Sequence, residues 1–198
     1  FGCTSEDINN CAYGLMVKSA LRETLLPLID QLLGSLSELG IRTKSTPMLS
    51  RTHGQTASPT TLGKEIANTI FRLKRQKQLL SETQVYGKFN GAVGNFNAHV
   101  IAYPEADWPK LSEKFIHSLE LKNNPMTTQI EPHDYLAEIF HTLIRTNQII
   151  LDFNRDMWSY ISIDYFKQRN VPGEVGSSTM PHKINPIDFE NSEGNIGI

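Results

Sequence analysis

Apolar residues repeat at helical spacing over long stretches of this chain, and this pattern constrains the fold more than any other feature. In the first stretch, Thr4 is predicted to cap a helix, with Asp7 completing a capping box. Pro27 predicts a kink rather than an end, since the pattern continues past it, and Gly40 is predicted to end the helix. The apolar positions of this helix are Ile8, Ala12, Leu15, Leu21, Leu25, Leu28, Leu32, Leu36 and Leu39.

Three further stretches show the same helical spacing. They predict helices over about 60–86, 108–119 and 131–168, and another helix is expected to begin at Asn185-Pro186, with Asn185 as its N-cap. Strand patterns are nearly absent. The predicted fold is therefore all-α, an elongated helical bundle whose apolar stripe is long enough to bury surface against other chains as well.

Composition excludes several classes of function. The 198 residues carry a formal net charge of −2, and their basic residues are scattered, so the chain is not expected to bind nucleic acid. No apolar run is long enough to predict a membrane span. If Cys3 and Cys11 both lie near one helix, they stand about two helical turns apart, which is too far for a disulfide and favours a reducing cytoplasmic setting. The chain starts at Phe1 without methionine, and we expect it to be part of a longer protein.

Polar clusters fall at the predicted breaks between helices, where function is expected. Thr4-Ser5 could bind a carboxylate or phosphate at a helix N-terminus, or could simply cap the helix. His53 has the chemistry of a general acid or base, or is a surface histidine. The 90–95 run could cradle an anion or form a tight turn, and Gln129 could contact substrate or begin a helix. No histidines or cysteines have the spacing of metal ligands.

The most specific signal is GSSTMPHKINP at 176–186. Paired serines precede Lys183, and the following helix start adds further positive character. Such surroundings lower the pKa of a serine hydroxyl and stabilise negative charge on a bound carboxylate. A serine placed there suits removal of a proton from a carbon next to a carboxylate, and this chemistry needs no metal.

These motifs resemble the fumarase/aspartase superfamily, whose members eliminate fumarate from succinyl compounds. The loop at 176–186 resembles the signature loop of that superfamily. Within that superfamily, five stretches of the chain resemble the adenylosuccinate lyase family. They are TSEDINN (4–10), SRTHGQTASPTTLGKE (50–65), GAVGNFNAH (91–99), TTQIEPHDY (127–135) and MPHKINPIDFENSEGN (180–195). The resemblance implies that residues 1–198 are part of the central helical-bundle domain of the superfamily, with N-terminal and C-terminal domains outside this chain.

The resemblance also implies roles for individual residues. Ser177 would be the general base, His53 the general acid to the departing nitrogen, and Glu190 the charge partner of His53. The implied substrate-binding residues are Thr4, Ser5, Thr52, Gln129, Ser178, Lys183, Ile184, Asn185 and Asn191. The implied substrate is a succinyl nucleotide of purine biosynthesis, cleaved in the cytoplasm by a homotetramer with active sites shared between chains. No cofactor or metal is implied, and the isolated 198-residue chain is expected to be inactive.

The sequence leaves two alternative functions open. A sister lyase such as argininosuccinate lyase would also release fumarate, although the Thr-His-Gly-Gln motif and His182 argue against it. A non-catalytic structural relative is the other alternative. Retention of His53, Ser177 and Lys183 together argues against that one.

Overall fold

The computed structural model describes residues 2–169, 179–180 and 182–197. Within these residues the helices are α1 (Ser5–Ser19), α2 (Leu26–Arg42), α3 (Leu62–Glu82), α4 (Asn97–Ala102), α5 (Trp108–Ser118), α6 (Asp134–Ser162) and α7 (Ile187–Ile196). The strands are β1 (Pro47–Thr52), β2 (Gln55–Thr61), β3 (Tyr86–Gly87) and β4 (Lys122–Asn123). The predicted all-α bundle is confirmed, with two small pairs of strands added to it.

The first predicted helix continues past Pro27, as expected. Between α1 and α2, Ala20–Leu25 forms a π-helical turn, in which the Leu26 N–H donates to the carbonyl of Leu21, five residues earlier. Proline lacks an N–H and its ring crowds the carbonyl four residues before it. The wider π turn just ahead of Pro27 therefore lets the helix change its hydrogen bonding without ending.

The prediction that Gly40 ends this helix is wrong, because α2 continues to Arg42. The glycine that this region requires is Gly63, at the start of α3. A Cβ on Gly63 would overlap the Gly40 carbonyl oxygen and the backbone of Lys44. The two helices therefore approach each other at backbone distance, and α2 ends without a left-handed glycine.

The hydrophobic core lies between α2, α3 and α6, with α7 packed along the second half of α6. The predicted second and fourth helices are shorter in the structure than their apolar spacing suggested, since α3 ends at Glu82 and α6 begins at Asp134. Two salt bridges tie the helices together, Lys77–Asp30 at 2.6 Å and Arg72–Asp152 at 2.6 Å. The buried apolar core includes Leu21, Leu33, Leu36, Ile66, Leu73, Leu80, Ile116, Ile139 and Ile149.

The sequence did not predict the β-hairpin formed by β1 and β2. Its strands pair antiparallel from Pro47 opposite Thr61 to Thr52 opposite Gln55. Most of its side chains are exposed, so the alternation of apolar and polar residues that normally signals a strand is missing.

In the part of the chain that the structure describes, no helix is long and apolar enough to cross a membrane.

His99 of α4 is an unusual part of the interior. Its ring is fully buried between the rings of Phe89, Phe96 and Trp108, at centroid distances of 5.6, 5.8 and 4.8 Å. Neither ring nitrogen has a hydrogen-bond partner among the described residues. Burial lowers the pKa of His99 below the usual 6.5 of histidine, which favours the neutral form of the ring.

This burial predicts a pH-dependent stability. Below the pKa of histidine in the unfolded chain, the unfolded state binds more protons at His99 than the folded state does. The free energy of unfolding therefore decreases as the pH falls. From about pH 7.5 to about pH 5.5, the thermal midpoint should fall more in the wild-type protein than in His99→Phe. The exposed His117 supplies the matched control, His117→Asn. Equal falls in the wild type and His99→Phe would contradict this expectation.

Candidate functional site

Thr4, Ser5 and Gln129, here called the first cluster, lie together although they are far apart in sequence. Thr4 caps α1, and the Gln129 side-chain nitrogen Nε2 donates to the Thr4 hydroxyl oxygen at 3.2 Å. Ser5 and Gln129 are exposed, and Thr4 is half-buried. The structure therefore offers two hydroxyls and an amide to solvent at the positive end of a helix, an arrangement that suits an anionic group.

A fully buried ion pair lies beneath the first cluster. Lys88 Nζ and Asp7 Oδ1 are 2.8 Å apart, and neither side chain has any exposed surface. The other Asp7 oxygen, Oδ2, accepts from the Thr4 N–H at 2.9 Å, as the predicted capping box requires. The ammonium of Lys88 also donates to the carbonyl oxygens of Gly91 and Gln129, at 3.0 and 2.8 Å. Thr4 and Gln129, which bond each other at the surface, are thus both held by the buried pair beneath them.

The 90–95 run proves to be a tight structural turn rather than an external anion cradle. The N–H groups of Asn90 and Gly91 donate to the carboxylate of Asp7, so the anion that they bind belongs to the chain itself. The Asn90 side chain bonds the Thr127 hydroxyl at 2.8 Å. Gly94 has a positive φ, and a Cβ there would overlap the Thr127 carbonyl. The turn therefore holds the segment that leads to Gln129.

Thr52 and His53, the second cluster, lie at the tip of the β1–β2 hairpin. His53 and Gly54 form its two-residue turn, with positive φ values of 55° and 72°. A type I′ turn requires such angles, and its first position favours asparagine over histidine. The His53 side chain is exposed and has no hydrogen bond or ion pair to any of the described residues. It therefore points a titratable group at solvent from a well-defined backbone.

Arg51 links this hairpin to the segment that follows α6. Its Nη1 donates to the Gly54 carbonyl at 2.8 Å, and its Nε donates to the Tyr165 hydroxyl at 3.0 Å. The guanidinium also lies over the Tyr165 ring, 5.3 Å from its centroid. The Tyr165 hydroxyl in turn donates to the Leu49 carbonyl at 3.3 Å. The turn that carries His53 is thus held by the Arg51 side chain, whose own position is fixed by Tyr165.

The third cluster surrounds the start of α7. It contains the predicted site residues Lys183, Ile184, Asn185, Glu190 and Asn191. All are exposed except Asn185, which is half-buried, and α7 begins at Ile187. The predicted N-cap at Asn185 is off by one residue, because Pro186 has non-helical backbone angles and occupies that position. Ser177 and Ser178 lie outside the described residues.

Contacts of α7 place this cluster at the far end of α6. Glu190 Oε1 accepts from Trp158 Nε1 at 3.2 Å, and the Ile184 carbonyl accepts from Gln168 Nε2 at 3.3 Å. Within the described part of the chain, no hydrogen bond or ion pair joins Glu190 to His53.

The clusters stand at opposite ends of one long helix. Gln129 lies five residues before α6, whereas the second and third clusters lie beside its last turns and the segment that follows. A helix of 29 residues is about 43 Å long at 1.5 Å per residue. One chain therefore does not bring the first cluster next to His53 or Glu190. Among the described residues, no group of three or more histidine, cysteine or acidic side chains could hold a metal.

Comparisons with known proteins show the family to which the chain belongs. The profile of the family described as "Lyase" matches residues 1–197. The chain belongs to the lyase family. The crystal structure of the 3-carboxy-cis,cis-muconate lactonizing enzyme from Pseudomonas putida superposes with a TM-score of 0.81 at 27% identity, and the match covers 100% of this chain and 44% of that one.

Curated relatives in this family are more similar still. Proteins named adenylosuccinate lyase from Escherichia coli K12, Haemophilus influenzae and Legionella pneumophila are 56%, 57% and 58% identical to this chain. Each match covers 100% of this chain and 43% of the relative. The chain thus spans less than half the length of the curated relatives it matches.

The Lys88–Asp7 pair is the part of the site that sequence reasoning missed. From the sequence, Asp7 is predicted only as a helix cap, and Lys88 is not among the predicted site residues. A signal was present, since Lys88 stands in the run VYGKFNGAVG, where small and apolar residues suggest burial. A charged residue in such a run requires a partner, because an unpaired buried charge is unfavourable.

Proposed function

We propose that the protein is a carbon–nitrogen lyase of purine biosynthesis. It releases fumarate from adenylosuccinate to give AMP, and from the succinylated aminoimidazole-carboxamide ribotide. The observation that carries this proposal is the identity of 56–58% to three proteins named adenylosuccinate lyase across the whole of this chain. The geometry supports it, because the polar residues implied by the resemblance are exposed or half-buried wherever they are described.

The reaction assigns one task to each group of residues. Ser177 removes the proton from the succinyl β-carbon, and the resulting negative charge spreads into the adjoining carboxylate. Donors such as Thr4, Ser5 and Gln129 suit that carboxylate, since they stabilise the charge as it develops. His53 then gives a proton to the departing nitrogen as the C–N bond breaks, which leaves the carbon–carbon double bond of fumarate. Glu190 is the proposed charge partner of His53.

A homotetramer with shared sites belongs to the same proposal. Because α6 separates the first cluster from His53, a second chain must bring the missing cluster if both contact one substrate. Large apolar side chains on the outer faces of three helices suit such contacts: Met16, Phe71 and Ile144 are 65%, 69% and 63% exposed. A cytoplasmic location is part of the same proposal.

Assay of the full-length protein against three substrates tests the proposed activity. Adenylosuccinate and the succinylated ribotide should both yield fumarate, and argininosuccinate should not. The isolated 198-residue chain should show negligible turnover, because binding energy from parts of the substrate outside the reacting centre would be lost. Absence of fumarate from the full-length protein, or faster cleavage of argininosuccinate, would refute the assignment.

A further inference from the structure

The buried ion pair below the first cluster is difficult to explain by stability alone. Asp7 and Lys88 are both fully buried, so both charges have lost their hydration. The attraction within such a pair often does no more than offset this loss, and well-packed apolar residues in its place are commonly as stable or more so. A chain that nevertheless keeps the pair can be using it to fix the position of other groups.

The hydrogen bonds of Lys88 show which groups are fixed. Each N–H of an ammonium can donate once, and Lys88 has three acceptors: Asp7 Oδ1 at 2.8 Å and the carbonyls of Gly91 and Gln129 at 3.0 and 2.8 Å. Asp7 Oδ2 holds the Thr4 N–H at 2.9 Å. The Lys88 ammonium thus holds Gln129 directly and holds Thr4 through Asp7. Thr4 and Gln129 are the two residues whose side chains bond each other at the surface.

We infer that Lys88 is a positioning residue for the first cluster, placing the Gln129 amide and the Thr4 hydroxyl to receive an anionic group of the substrate. This inference rests on the proposed function. Lys88 touches no substrate itself, because its side chain is sealed beneath the surface. Its action therefore depends on the donated hydrogen bond to the Gln129 carbonyl and not only on neutralising Asp7.

That distinction supplies the test, made in the full-length protein with Lys88→Met, Asp7→Asn and the double variant. Methionine fills nearly the same volume without donating. Each single variant should lower the thermal midpoint, because it leaves one buried charge unpaired. The double variant should recover only part of that loss, because asparagine has one accepting oxygen where Asp7 accepts backbone N–H groups through two. The KM for adenylosuccinate should rise roughly tenfold or more in Lys88→Met, and it should remain raised in the double variant, because the bond to the Gln129 carbonyl stays lost.

A matched control is Lys77→Met, which breaks the ion pair with Asp30 between α2 and α3, away from the first cluster. Its KM should equal that of the wild type. The inference is overturned if KM changes less than about twofold in Lys88→Met, or if the double variant recovers KM together with stability. Failure of the double variant to fold would also overturn it, since Lys88 would then serve the fold itself. An inactive wild-type protein would refute the proposed function, whereas an active one with unaffected variants would refute only this inference.

Discussion

Ser177→Ala in the full-length enzyme is expected to lower kcat for fumarate release by roughly a hundredfold to ten-thousandfold, the usual effect of removing a general base. Alanine keeps the size of the side chain and loses only the oxygen that accepts the proton. Substrate binding should change little, because the proposed binding donors remain in place. Turnover can be followed by fumarate absorbance and binding by calorimetry.

Ser178→Ala is the matched control for this prediction. Ser177 would still be available as the base. Ser178→Ala should therefore lower kcat less than Ser177→Ala does, and it should act mainly by weakening substrate binding. If Ser178→Ala proved the more damaging change in kcat, the general base would be Ser178 and the proposed assignment would be wrong.

His53→Asn is expected to lower kcat by a similar factor, roughly a hundredfold or more, without loosening the hairpin. Asparagine is the favoured residue at the first position of a type I′ turn, and the following Gly54 completes the preferred pair. The substitution therefore removes the proton donor while keeping or strengthening the turn. Thermal melting of the full-length protein should show no loss of stability, and fumarate release should be almost abolished.

The choice of asparagine separates chemistry from folding. A His53→Ala variant would lose the acid and also strain the turn, since a positive φ suits alanine poorly. His53→Asn with near-normal kcat would show that His53 is not the acid. Activity lost together with stability would instead point to a structural role.

Helices were predictable from sequence where apolar spacing dominates local structure. The Thr4–Asp7 cap and the passage of the helix beyond Pro27 depend on near neighbours, and the structure confirms them. The prediction at Gly40 fails because a glycine near a helix end resembles a cap, whereas Gly40 lies at a close approach to Gly63. That approach involves a second helix, which spacing along one helix does not report.

The candidate site likewise has a part that local sequence predicts and a part that depends on tertiary packing. His53 and Gln129 could be singled out as polar residues in predicted breaks. The pairing of Gln129 with Thr4 spans 125 residues and depends on tertiary packing, so no local pattern predicts it. The hairpin beneath His53 was missed because exposed strands such as β2 lack an apolar face. Lys88 was missed because lysine is seldom fully buried.

The central claim is that each active site combines the first cluster of one chain with His53 of another. Subunit complementation tests it most directly. Full-length His53→Asn protein is mixed with a Thr4→Ala/Gln129→Ala variant, and the two are dissociated and reassembled into verified hybrid tetramers. Each parent should be nearly inactive when assayed alone at low substrate concentration.

If the two clusters come from different chains, random hybrids contain some sites with neither change, and roughly a quarter of wild-type activity should return. If both clusters of a site came from one chain, every site would carry one defect or the other. Hybrid tetramers with no more activity than their parents would therefore contradict the account.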